Sequence, residues 1–105
     1  MDDTAPIHPG EHLAEILEEL EISQYRLATT IGVSPRRINE IVHGTRSISA
    51  DTAIRIGKAL RMTPESWLNL QRLYDLEKAR GSTDVSRIEP LTPKPAEIPR
   101  SDFSG

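Results

Sequence analysis

The chain contains no cysteine, which removes disulfides and thiolate metal sites and accords with a reducing compartment. Aromatic residues are scarce, at 4% of 105 residues (Tyr25, Trp67, Tyr74 and Phe103), so aliphatic side chains must fill any core. No apolar run approaches the roughly 18 residues of a membrane span, and the acidic N-terminus is unlike a signal peptide. The expectation is a cytoplasmic protein without membrane contact. No carboxylate pair, metal cluster or activated nucleophile stands out, so neither an enzyme nor a bound cofactor is expected. His8 and His12 stand one helical turn apart, but Pro9 lies between them and no third ligand accompanies them.

A basic excess is missing too: the formal net charge is −3. The sum hides an asymmetry. Residues 1–22 carry Asp2, Asp3, Glu11, Glu15, Glu18, Glu19 and Glu21 with no Lys or Arg. Residues 23–61 carry Arg26, Arg36, Arg37, Arg46, Arg55, Lys58 and Arg61 against only Glu40 and Asp51. A polyanion responds to the local field of the middle segment rather than to the total.

That middle segment contains the most informative stretch, Ser23 to Gly44. Ser23 is a helix N-cap, and Leu27, Ala28 and Ile31 form the apolar stripe of a short helix. Gly32 then accepts the left-handed backbone that closes it. Val33 supplies a buried contact, and Ser34 followed by Pro35 opens a second helix. This is the punctuation of a helix-turn-helix, whose second helix enters the DNA major groove. Ile38, Ile41 and Val42 share its buried face. Arg36, Glu40 and His43 occupy the opposite face, flanked by Arg37 and Asn39. Arginine reads guanine through O6 and N7, and asparagine pairs with adenine. Ser34, Arg36, Arg37, Asn39, Glu40 and His43 are therefore the candidate base readers. Gln24 at a helix start, with Arg46 and Ser47 beyond Gly44, are the candidate phosphate contacts.

The remaining segments frame this one within a single domain. Residues 1–8 are expected to form a flexible arm. A first helix from Pro9 to about Glu21 buries Leu13, Ile16, Leu17 and Leu20, with Glu11, Glu15 and Glu18 on its far side as a candidate surface for a basic partner. A fourth helix, capped by Ser49, buries Ala53, Ile54, Ile56 and Leu60. A fifth follows Thr63-Pro64-Glu65 and runs to about Arg80. Trp67, Leu70, Leu73 and Tyr74 cluster on one side of it, whereas Leu68 and Leu76 point elsewhere. Two apolar sides on a terminal helix predict a two-fold dimer, with Leu68, Leu73 and Leu76 as candidate interface residues. Residues 81–105, with Pro90, Pro93, Pro95 and Pro99 among serines and charges, are expected to be a flexible tail.

Several stretches carry a family resemblance: His8-Pro9-Gly10-Glu11, Ile31-Gly32-Val33, Arg37-Ile38-Asn39-Glu40-Ile41, Asp51-Thr52-Ala53, and Pro64-Glu65-Ser66-Trp67-Leu68-Asn69-Leu70-Gln71 followed by Tyr74-Asp75-Leu76. Together they span about residues 7–80. In them the chain resembles the HigA-type antitoxins, a branch of the XRE/Cro-repressor helix-turn-helix family. The resemblance implies an all-α, five-helix lambda-repressor-like domain that dimerises through its C-terminal part. It also implies binding to a palindromic operator in double-stranded DNA, repression of its own operon, and neutralisation of a HigB-type toxin, an mRNA endonuclease of the RelE kind. Where repressors of this broad family often begin the reading helix with glutamine, this chain has Pro35, so no base preference carries over. A stand-alone repressor without a toxin remains the alternative.

Overall fold

The computed structural model describes residues 6–92. It contains five α-helices in chain order: α1 (Pro9–Leu20), α2 (Gln24–Ile31), α3 (Pro35–Val42), α4 (Ala50–Leu60) and α5 (Pro64–Ser82). There is no strand among the described residues. Each helix starts where a side chain can accept a free backbone N–H. Ser23 Oγ accepts from Arg26 N, Ser34 Oγ from Arg37 N, Ser49 Oγ from Thr52 N and Thr63 Oγ1 from Ser66 N. The first cap is of a different kind: His8 Nδ1 accepts from Gly10 N at 2.8 Å.

The helices pack α4 on α5, α2 on both α3 and α4, and α1 on both α3 and α5. Trp67 sits fully buried among Leu13, Leu27, Ala28, Ile38, Ile41, Ala53 and Ile56. One indole and an aliphatic shell thus make the core that the shortage of aromatics required. Two glycines carry its geometry. Gly32 has φ +78°, and its N–H donates to the Ala28 carbonyl, closing α2. Gly10 lets α1 approach the end of α3, because a Cβ there would overlap the Ile41 carbonyl.

Four expectations change. Leu20 and Ile54 are 53% and 59% exposed rather than buried, the latter on the rim of an open groove between α2 and α4. His8 is buried and belongs to the folded unit as the α1 cap, not to an arm. α5 continues through Gly81 to Ser82, since an exposed glycine near a helix end costs only about 1 kcal/mol. Residues 83–92 are irregular and exposed. The rest of the arm expected at residues 1–8 and of the tail expected at 81–105 lies largely outside the described residues.

Candidate nucleic-acid interface

Ile38 and Ile41 are fully buried, and this fixes the rotation of α3 about its axis. Arg36, Asn39 and His43 are exposed on the other side. Ser34, at the start of the helix, spends its hydroxyl on the cap to Arg37 N at 3.1 Å. Asn39 Nδ2 donates to Gln24 Oε1 at 3.2 Å, tying the exposed face of α3 to the first residue of α2. This leaves the Gln24 amide NH2, beside the free N–H groups of the first turn of α2, as a donor set suited to a phosphate. The His43 ring sits with Nδ1 2.8 Å from the Asn39 carbonyl.

The two adjacent arginines have different surroundings. The Arg36 side chain is 84% exposed and donates through Nε to Glu40 Oε2 at 2.8 Å. Arg37 turns back toward α4, where Nη1 lies 3.6 Å from Asp51 Oδ2 and 3.5 Å from Thr52 Oγ1, and its side chain is 34% exposed. Glu40 accepts a second donor, Arg46 Nε, at 2.8 Å on Oε1. The hydrogen bonds from Arg46 and Arg36 hold its carboxyl below the usual carboxylate range.

The segment between α3 and α4 is held from behind. Gln71 on α5 is buried, and its Oε1 accepts from Ile48 N at 2.8 Å. Its Nε2 donates to Asp75 Oδ1 at 2.9 Å and to Ser47 Oγ at 3.4 Å. The end of α2 is held by Arg55, which donates Nη1 to the Ile31 carbonyl at 2.7 Å and Nε to Asp51 at 3.0 Å. A cation at a helix C-terminus also offsets the helix dipole.

Gln24 is thus paired with Asn39, Glu40 joins Arg36 to Arg46, and Ser47 is held by Gln71. Arg37 stands apart from these pairs. The sequence reading missed Gln71, Thr52 and Arg55 as supports; the Trp-Leu-Asn-Leu-Gln segment ends on the first of them. Glu11, Glu15 and Glu18 form an exposed row on α1 opposite the buried Leu13 and Leu17. On α5, Leu73 and Leu76 are exposed. Leu68 differs: it is half-buried against the core, so that side of the helix is in part an inner one.

The helix-turn-helix family HTH_3 matches residues 13–68 of the chain. Virulence-associated protein I of Dichelobacter nodosus is 44% identical over 88 residues, 82% of each chain. An addiction module antidote protein of the HigA family from Coxiella burnetii has a solved structure with a TM-score of 0.76. It is 41% identical, and the match covers 87% of this chain and 100% of that one. The Pseudomonas aeruginosa antitoxin HigA, solved with the higBA promoter, superposes with a TM-score of 0.77 at 44% identity, over 83% of this chain and 99% of its own.

Proposed function

Because this chain belongs to the helix-turn-helix family and, within it, to the branch of the HigA antitoxins, we propose that it is a DNA-binding antitoxin that represses its own operon in the cytoplasm. The α3 helix enters the major groove and presents Arg36 and Asn39 to base edges, with Ser34 and His43 at its two ends. Gln24, Arg46 and Ser47 hold phosphates on either side and fix the register. Two copies join through the outer part of α5, around Leu73 and Leu76, and meet half-sites about 34 Å apart. The toxin is a HigB-type mRNA endonuclease, and the glutamate row of α1 is the surface offered to it, clear of α3.

The observation that carries this reading is an exposed Arg36–Asn39 face on a helix locked by two fully buried isoleucines, in a fold shared with an antitoxin solved on promoter DNA. Fluorescence anisotropy with a duplex from the chain's own promoter tests it. That duplex should bind about a thousandfold more tightly than a scrambled one, with an affinity that falls steeply as salt rises. Equal affinity for both would overturn the reading. Co-expression with the product of the adjacent gene, expected to be a small basic protein, should yield a complex that co-purifies. Operator binding without such a complex would mark a stand-alone repressor instead.

A further inference from the structure

The Glu40 carboxylate joins side chains from two different elements, Arg36 on α3 and Arg46 in the segment that follows it. Each oxygen takes one arginine Nε, both at 2.8 Å. Exposure across this triad is unequal: 84% for the Arg36 side chain and 46% for Arg46, but 25% for Glu40 between them. The carboxylate is thus the inner member, and the guanidinium groups flank it. Held by Nε, each arginine keeps its outer Nη groups without an acceptor among the described residues. Those are the groups that pair with guanine O6 and N7 or grip a phosphate.

We propose that Glu40 is a positioning residue that sets DNA specificity, holding Arg36 for a base edge and Arg46 for a phosphate while opposing any DNA that does not engage both. The proposal rests on the reading of α3 as the DNA-facing helix. Its physical basis has two parts. Free arginine side chains are long and adaptable and would settle on whatever phosphate is near, which rewards every sequence alike. A carboxylate between them restrains that freedom and adds a negative charge close to the polyanion. On the matching site the pre-placed arginines offset this repulsion through their contacts; on other sequences nothing does. The carboxylate's own oxygens are both engaged, so it has no need of a base amino group as partner.

The test uses the full chain, Glu40→Gln and Glu40→Asp. The probes are the duplex that the parent protein enriches from a random pool and a scrambled duplex of equal composition, titrated at several salt concentrations. Glu40→Gln removes the charge and one of the two acceptors. It should bind the scrambled duplex more tightly than the parent does and cut the preference for the enriched duplex by about tenfold. The salt slope on the scrambled duplex should steepen by about one, as one more cation reaches a phosphate. Glu40→Asp keeps the charge but is one methylene too short to span both arginines. It should lose preference without gaining affinity for the scrambled duplex. Equal weakening on both duplexes would reduce Glu40 to a structural role and overturn the proposal. A changed preference at a single base pair with unaltered scrambled-duplex binding would make it a direct base reader and overturn it equally. A parent protein that shows no sequence preference would overturn the underlying functional reading, and this inference with it.

Discussion

The exposed face of α3 and the outer half of α5 are both solvent-facing, yet their side chains are held very differently. On α3, Arg36, Arg37, Asn39, Glu40 and His43 each have a named partner at hydrogen-bonding or ion-pair distance, and several of those partners are anchored in turn. Beyond Gln71 on α5, Leu73 and Leu76 lie exposed, and the one ion pair there among the described residues, Arg80 with Glu77 at 3.7 Å, stays within the helix. A polar surface that must meet a rigid duplex is organised inside the protomer, which lowers the ordering cost of binding. The exposed leucines of α5 have no such internal partners, which is why the proposed subunit contact is placed there.

The strongest way to break this contrast is to remove the support beneath α3. In Gly10→Ala the new Cβ collides with the Ile41 carbonyl, which is backbone and cannot step aside. The expected destabilisation is about 3 kcal/mol or more, a fall of more than about 10 °C in Tm for a domain of this size. Thermal unfolding followed by circular dichroism measures it. A melting point within a few degrees of the parent's would show that the close approach of α1 is not what holds α3.

On the other side of the contrast, Leu73→Asp combined with Leu76→Asp should leave the fold intact, because neither side chain is in the core. With these residues anchoring the subunit contact, the dimer should weaken, its Kd rising by about 100-fold or more, near 3 kcal/mol. Sedimentation equilibrium reads this directly. An unchanged mass would take this part of α5 out of the interface.

The neighbouring arginines sharpen the comparison within α3 itself. Arg36→Ala should cost about 1–3 kcal/mol at the preferred site and relax selection at one base pair. Arg37→Ala removes a long pair to Asp51, whose carboxylate also serves Arg55, and should cost less than about 1 kcal/mol with little change in base preference. Binding of both variants to a panel of single-base-pair substitutions separates them. Equal losses would mean that Arg37 swings off α4 to reach the DNA.

The pattern of what could be read in advance follows from the range of each interaction. All five helix starts were legible because their signals are local: Ser23, Ser34, Ser49 and Thr63 each satisfy an N–H within three residues ahead, and Pro9 opens α1. The Gly32 turn was legible for the same reason. Leu20 and Ile54 were misplaced because periodicity identifies an apolar face but not where the neighbouring helix ends. His8 as the α1 cap was hidden by its chemistry, since histidine is an uncommon cap. Arg37 and Gln71 have partners 15 and 23 residues away, Thr52 and Ile48, and no local pattern announces such pairs. The candidate contact residues were therefore identifiable by type and spacing, whereas the network that ranks them was not.

His8 ties the start of α1 to α5, and it supplies the smallest of the expected effects. Its Nδ1 accepts from Gly10 N at the start of α1, and its ring stands edge-on to Tyr74 of α5, with centroids 4.8 Å apart. Accepting at Nδ1 requires the neutral ring. Burial lowers its pKa from 6.5, with Asp75, the Arg46 backbone and Glu11 opposing that shift and Lys78 adding to it. The unfolded chain therefore takes up a proton at higher pH than the folded one. Stability from this site is fully present above about pH 6.5 and is lost as the pH falls below that value, because proton uptake favours the unfolded chain. Asparagine caps a helix without titrating, so His8→Asn should flatten this part of the profile. Urea midpoints at about pH 7.5 and about pH 5.5 compare the two proteins on either side of the ordinary histidine value. If the variant loses as much stability as the parent over that interval, the dependence originates elsewhere, and His8 joins α1 to α5 through packing and its cap alone.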